Sequence, residues 1–260
     1  MFINNFDPVA IQFFSMEIRW YSLAYILGIL IGWILARKIF ITNDKLKDEF
    51  DDFISYIILG IIIGGRIGYV LIYNPEYYFK NLSEILKIWE GGMSFHGGLI
   101  GIIIASFLFA KKNNQKPLVY LDIVSIVAPI GIFFGRLANF VNSELYGVPT
   151  EVPWAVTFVK VDNLSRHPSQ LYEAILEGII LFLILIYFRK KNYLEKPGLI
   201  SALFLILYSI FRFIVEFFRV PDEQLGYLIL SLSMGQIISL TFIIFGIILF
   251  YVKNENKQIN

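Results

Sequence analysis

Seven stretches of this 260-residue chain are long and apolar enough to cross a lipid bilayer. A helix spanning the hydrocarbon needs about 20 mainly apolar residues. Windows at about 18–37, 53–73, 94–110, 118–141, 170–188, 198–219 and 232–252 meet that need. Lipid offers no partner to a free amide or carbonyl, so only helices or closed barrels are possible there. The ten-residue alternation of a barrel strand is missing from the sequence. The expected fold is therefore all-α: a polytopic membrane protein with seven transmembrane helices. The third window is short, and Gly97, Gly98 and Gly101 weaken one end of it. Hydrophobic residues make up 57% of the chain, against about 45–50% in soluble domains. Little polar chain is left between the windows, so residues 1–260 read as a single integral-membrane domain. The first window lacks a basic leader and a small-residue cleavage site, and reads as a retained span.

Lysines and arginines set the orientation of such a bundle. The connections at 37–52, 111–117 and 189–197 carry four, three and four of them, and Lys253 and Lys257 add two in the tail. The N-terminal segment and the connections at 74–93, 142–169 and 219–231 carry one, two, two and one. The basic excess predicts an N-terminus outside and a C-terminus in the cytoplasm. The longest outer connection, 142–169, holds three prolines and a β-prone run around Trp154–Val161.

In that orientation, polar residues distant in sequence fall at one depth, near the outer face. Tyr21 opens the first span, Arg66 lies in the outer part of the second, and His96 begins the third. Arg136 and Asn139 close the fourth, Glu173 and Glu177 lie early in the fifth, and Tyr208, Arg212 and Glu216 occupy the sixth, with Arg219 at its end. Tyr208, Arg212 and Glu216 repeat every four residues and share one helical stripe, while Arg136, Asn139 and Asn142 share a face at a spacing of three. Asp122 is the main polar residue in an inner half.

Bland roles compete with functional ones for each residue. Arg212 and Glu216 suit a structural ion pair as well as a site. Glu173 and Glu177 read first as hydrogen bonders between helices, and Asp122 as a partner for a basic residue. Tyr21, beside Trp20, fits an interfacial aromatic belt. The glycines around His96, at 91, 92, 97 and 98, allow positive φ at a ligand site or close helix packing. Convergence at one depth favours a site.

The chain has no cysteine and two histidines, His96 and His167. Disulfides, thiolate metal sites and a cysteine nucleophile are excluded, and neither a metal nor a cofactor is expected. No nucleotide loop or serine elbow occurs. Converging arginines suit a phosphate, which accepts bidentate guanidinium hydrogen bonds, and at this depth the natural phosphate is a phospholipid head group. A neutral histidine can take a proton near pH 7. The nucleophile must then come from a substrate.

The run Gly135-Arg136-Leu137-Ala138-Asn139-Phe140-Val141-Asn142-Ser143-Glu144-Leu145-Tyr146-Gly147 resembles the signature of the prolipoprotein diacylglyceryl transferases. Trp20-Tyr21, Gly65-Arg66-Ile67-Gly68-Tyr69, Met93-Ser94-Phe95-His96-Gly97-Gly98, Arg166-His167-Pro168-Ser169-Gln170-Leu171-Tyr172-Glu173 and Arg212-Phe213-Ile214-Val215-Glu216-Phe217-Phe218-Arg219 with Pro221-Asp222 accompany it in family order. Ser22 departs from the pattern, standing where a glycine is expected.

The resemblance implies a bacterial inner-membrane enzyme with its active site towards the outer leaflet. Such an enzyme moves the diacylglyceryl group of phosphatidylglycerol onto the lipobox cysteine of a prolipoprotein, forming a thioether and releasing glycerol 1-phosphate. Expected partners are phosphatidylglycerol, prolipoprotein signal peptides and the bilayer, with no nucleic acid. His96, Arg136 and Arg212 are the expected catalytic residues, His96 as base and the arginines on the phosphate. Arg136, Asn139, Glu144, Gly147, Tyr21, Tyr208 and Arg66 are expected around the lipid head group. Glu216 is expected to orient Arg212, and His167 to act as a second base or a loop organiser. A transporter or flippase for an anionic lipid is the alternative reading.

Overall fold

The apolar windows fold as helices. The computed structural model describes residues 2–14, 16–191, 193–221, 226, 228 and 231–255; Asp222 and Lys257 lie outside the described residues. Six described helices are long and apolar enough to cross a membrane: Trp20–Phe40, Asp44–Tyr73, Pro117–Asn142, Ser169–Lys190, Leu199–Phe218 and Met234–Asn254. The chain is a multi-pass, mostly helical membrane protein. The third window is also helical, over Phe95–Lys112 (18 residues), but it is not among those six. Among the described residues, five short strands lie outside the spans, an addition to the expected all-α fold.

Chain contacts divide the molecule into two compact units: Met1–Ala36 with Asp122–Asn260, and Arg37–Leu121. In the second unit, Asp44–Tyr73 begins nine residues before the apolar window. Its first turns are charged, and they are helical because the Asn43 side chain accepts from Leu46 N–H at 3.2 Å, a cap that satisfies an otherwise orphaned donor. Phe50 and Phe53 are fully buried, and Phe53 packs its ring 5.2 Å from Phe109 and 4.9 Å from Tyr120. A hydropathy window registers lipid contact, not helix, and so misses this extension.

Asp44–Tyr73 packs on Phe95–Lys112 through glycines. A Cβ added at Gly101 would collide with the Gly60 carbonyl oxygen, and one at Gly64 would collide with the Gly97 oxygen. Helices in lipid lack a hydrophobic force between them, and small residues let their backbones approach. The close-packing role of Gly97 and Gly101 is therefore the one present.

In the first unit, β2 (Val9–Phe13) and β3 (Met16–Arg19) form an antiparallel hairpin leading into the Trp20–Leu35 helix. The helix thus starts two residues later than the window. β1 (Phe2–Asn4) pairs in parallel with β4 (Val156–Phe158), which pairs antiparallel with β5 (Ser165–Arg166). The β-prone run at 154–161 is a strand at its centre. Asn4 is buried and donates from Nδ2 to the Phe140 carbonyl at 2.7 Å, tying the sheet to the end of Pro117–Asn142.

Two further features lay beyond periodicity. Ser169–Lys190 contains a π-helical turn over Ala174–Ile180, a form that tends to appear at functional sites. Asp122 has Lys253 within electrostatic reach, the basic partner expected, while its hydrogen bonds go to the start of another helix. Its carboxylate accepts from Gly198 N–H at 2.7 Å, Ser201 N–H at 2.8 Å and the Ser201 hydroxyl at 2.6 Å, at the positive end of Leu199–Val215.

The glycine interface makes a prediction. Overpacking a tight core costs about 1–3 kcal/mol, so Gly101→Leu should lower the thermal unfolding midpoint in detergent by several degrees. Gly98→Ala, whose added carbon meets Ile61 O at an ordinary 3.8 Å, should leave it unchanged. Equal midpoints for the two variants would contradict this packing.

Candidate active site

Three arginines and three glutamates meet at one end of the Pro117–Asn142, Ser169–Lys190 and Leu199–Phe218 helices. Glu173, with no exposed surface, is their centre. Arg136 Nε lies 3.1 Å from its Oε2, Arg212 Nη1 contacts its Oε1, and Arg219 Nη1 is 3.9 Å from Oε1. Glu177, one turn along and equally buried, has Arg136 Nη2 at 3.4 Å and Arg212 Nη1 at 4.0 Å. Glu216 pairs with Arg212 Nη2 and lies 3.4 Å from Arg219 Nη1. Ser233 donates from its hydroxyl to Glu216 Oε2 at 2.5 Å.

Fully ionised, these six groups sum to zero charge. An isolated guanidinium within a membrane costs at least about 2.5–3.5 kcal/mol, and here carboxylates offset it. Glu173 and Glu177 are thus counter-ions to the arginines and not only hydrogen bonders between helices. Arg212 and Glu216 pair as their spacing of four implies. Tyr208 lies within electrostatic reach of Glu177, Arg136, Arg212 and Glu173. Tyr21 hydrogen-bonds Tyr25, which is itself within reach of Arg136.

Past Asn142 the chain turns at once, with Ser143 and Leu145 at φ 59° and 56°, where residues other than glycine are uncommon. Two asparagines hold the turn. Asn139 Nδ2 donates to Glu144 Oε2 at 3.2 Å and Asn142 Nδ2 to Oε1 at 3.4 Å. Gln170 Nε2 donates to the Glu144 carbonyl at 2.6 Å, and the Ser169 hydroxyl to that of Leu145 at 2.9 Å. Gly147 N–H donates to His167 O at 3.0 Å, Val148 N–H to Phe218 O at 3.0 Å and Val220 N–H to Tyr146 O at 3.2 Å. A Cβ at Gly147 would collide with the carbonyl oxygens of both His167 and Phe218, so only glycine fits. Residues 135–147, 165–173 and 212–220 form one hydrogen-bonded assembly.

Arg166 crosses this assembly, donating from Nη1 to the Gly147 carbonyl at 3.1 Å and stacking 4.9 Å from the Tyr146 ring centre. Its guanidinium holds the Asp162 carboxyl below the usual carboxylate range. His167 follows it. Trp154 Nε1 donates to the Tyr172 hydroxyl at 2.8 Å, and that hydroxyl lies 2.9 Å from His167 Nδ1. An indole N–H only donates, so the phenol oxygen is the acceptor from Trp154. Burial pushes the imidazole below its ordinary pKa.

His96 and Arg66 belong to the second unit. His96 is exposed in the first turn of Phe95–Lys112, whose Ser94 cap accepts from Gly97 N–H at 3.2 Å. Gly91 and Gly92 before it have φ of 88° and 77°, the positive values that the glycine cluster implied. Arg66 is buried, and its donors go to main-chain carbonyls: Nε to Ile85 at 2.8 Å, Nη1 to Gly91 at 2.6 Å and Gly92 at 3.1 Å, and Nη2 to Glu84 at 2.5 Å. Among the described residues, no three His, Cys, Asp or Glu side chains cluster as a metal site would require. Sequence reasoning placed Arg219 in the polar layer but gave it no role, although its spacing of three to Glu216 signals the contact; Ser233 carried no signal.

The family model described as prolipoprotein diacylglyceryl transferase matches residues 8–252. The chain belongs to that family. Proteins named phosphatidylglycerol–prolipoprotein diacylglyceryl transferase resemble it along almost their whole length. That of Rickettsia bellii (strain OSU 85-389) is 49% identical over 262 residues, covering 100% of this chain and 99% of its own. That of Rickettsia typhi is 51% identical over 253 residues (95% and 96%), and that of Nitrobacter winogradskyi 46% over 256 (95% and 88%). Three of the family-like blocks, around Arg136, His167 and Arg212, are the ones the structure knits together.

The cluster and the histidine each carry a prediction. Removing one partner of a buried ion pair costs about 3–5 kcal/mol, so Glu173→Ala should destabilise the protein by that order in denaturant unfolding. Glu177→Ala, losing longer contacts, should cost less. A Glu173→Ala loss under about 1 kcal/mol would contradict the cluster. For His167 the folded pKa is depressed, so its contribution is complete above the unfolded pKa of about 6.5 and declines as pH falls below that value. His167→Gln should flatten this part of the stability profile, and an unchanged profile would refute the assignment.

Proposed function

We propose that this chain transfers the diacylglyceryl group of phosphatidylglycerol to the lipobox cysteine thiol at the end of a prolipoprotein signal peptide. The sulfur attacks the glyceryl carbon bearing the phosphate, the carbon–oxygen bond breaks, and glycerol 1-phosphate leaves. The thiol proton passes to a base, and the product is a thioether. The relatives bearing this name along nearly the full chain support the reading. The observation that carries it is the locking of three family blocks around a cluster of guanidinium groups. Nothing comparable favours a lipid transporter or flippase.

In this reading Arg136 and Arg212 hold the phosphate. As the bond breaks, the phosphate gains charge, and preorganised guanidinium donors stabilise that change most in the transition state. Glu216 orients Arg212. Asn139, Glu144 and Gly147 shape the head-group pocket, and Tyr21 and Tyr208 hydrogen-bond the lipid or an arginine. His96 is the base for the thiol, whose pKa near 8.5 leaves it partly ionised already. His167 organises the outer loop, because its Nδ1 is already held by Tyr172. Arg66 holds the loop before His96, since its donors are engaged there, and is a positioning residue instead of the lipid ligand first expected.

The apolar windows support seven spans including Phe95–Lys112, and the basic residues support an N-terminus outside and a C-terminus in the cytoplasm. We place the protein in the bacterial cytoplasmic membrane with its site towards the outer leaflet, both units serving one transferase domain.

Purified protein in phosphatidylglycerol liposomes, given a lipobox peptide with one cysteine, should yield a diacylglyceryl thioether by mass spectrometry. Serine in place of the peptide cysteine should abolish it. Arg136→Ala should lower the rate by about 10²–10³-fold, the scale of losing one oxyanion donor. No adduct with folded protein would refute the function, and full activity in both Arg136→Ala and His96→Ala would refute the roles.

A further inference from the structure

The last apolar helix, Met234–Asn254, meets the ion cluster with its first turn. Glu216 Oε1 faces Arg212 Nη2 and Arg219 Nη1, while its Oε2 accepts from the Ser233 hydroxyl. Ser233, directly before the helix, is buried, as is Gln236. The Ser233 hydroxyl oxygen accepts from Gln236 N–H at 3.2 Å, and Gln236 Oε1 accepts in return from Ser233 N–H at 2.9 Å. Ser233-Met234-Gly235-Gln236 is thus a capping box, in which two otherwise orphaned main-chain donors are satisfied reciprocally. Capping uses only a lone pair of the hydroxyl. Its hydrogen is left over, and it goes to Glu216.

Gly235 lies between the two capping residues. A Cβ built there would stand 2.6 Å from both Cδ and Oε1 of Glu216 and 2.9 Å from Oε2. The carboxylate therefore rests on the bare Cα of Gly235. This glycine is helical, so space and not backbone conformation excludes a larger residue. A helix N-terminus also favours a negative charge beside its first turn. With a hydroxyl on Oε2, two guanidinium groups at Oε1 and Gly235 behind it, the carboxylate is fixed on every side that the cluster uses.

Resting on the transferase reading above, we propose that Ser233 and Gly235 are positioning residues for the reaction. They fix the Glu216 carboxylate, which in turn fixes Arg212 Nη2 and so the plane of the guanidinium offered to the phosphate. The last helix then serves the site as well as the anchoring of the chain. A donor that counts chiefly in the transition state moves kcat more than KM, which separates this role from lipid binding.

The test follows thioether formation by the full chain in phosphatidylglycerol liposomes with a one-cysteine lipobox peptide, and the thermal unfolding midpoint in detergent. In Gly235→Ala the new methyl meets the far end of a flexible side chain, so the carboxylate swings aside. Alanine is the better helix former, so the midpoint should not fall, and KM for phosphatidylglycerol should hold. The kcat should drop by about 10²-fold, the scale of a misplacement of about 1 Å. An unchanged kcat, a change confined to KM, or a kcat loss matched by a lower midpoint would each overturn the positioning role. Ser233 provides a second arm. Ser233→Ala should lower kcat, and Ser233→Thr, whose hydroxyl can cap and donate alike, should restore it. Equal kcat in these two variants would overturn the proposal while leaving the transferase reading intact. No thioether from the unaltered chain would overturn both together.

Discussion

A fully buried carboxylate, Glu173, with three guanidinium groups around it is the contact on which the rest of this structure depends. It joins Arg136 on one helix to Arg212 and Arg219 on another, inside a region where an unpaired charge is costly. Glu177 and Glu216 complete the balance, so that with all six groups ionised the charges sum to zero. In this cluster, Arg136 turns Nε and Nη2 to glutamates, while Nη1 makes no hydrogen bond among the described residues. Donors fixed in a dry site stabilise developing charge more than they would in water.

The cluster is held in place by main-chain hydrogen bonds. The turn after Asn142 takes two residues into left-handed conformations and depends on Glu144, whose side chain serves Asn139 and Asn142 while its carbonyl serves Gln170. Gly147 then passes between the carbonyls of His167 and Phe218 with no room for a Cβ. Strain at such positions persists only where surroundings impose it. Three segments distant in sequence impose it here, so their motifs are dense in residues that hold one another as well as in residues that could meet a substrate.

Much of this was legible in the sequence, and the reasons differ by feature. Spans follow from apolar runs because lipid forbids unpaired backbone groups. The charged start of Asp44–Tyr73 was hidden, since a cap at Asn43 and buried phenylalanines make that helix, not hydropathy. β1 was hidden because its partner, β4, lies over 150 residues away. At the site, Arg136, Arg212 and Glu216 stood out as charges within spans. Glu173 was seen but undervalued: its spacing of four to Glu177 marks a shared helix face, yet nothing local in sequence says that three arginines from two other segments converge on it. Arg66 carried a different ambiguity. Its depth suggested a ligand, and no local pattern says that carbonyls of the loop at 84–92 accept from its Nε, Nη1 and Nη2.

The central claim is that the guanidinium cluster around Glu173 receives the phosphodiester of phosphatidylglycerol. The most direct measurement places a photoactivatable group on the glycerol head of that lipid, irradiates it with the protein in nanodiscs, and maps the adducts by mass spectrometry. The account predicts adducts in the segments holding Arg136 to Gly147 and Tyr208 to Arg219, competed away by unlabelled phosphatidylglycerol. Adducts confined to other parts of the chain, or indifferent to that competition, would contradict it.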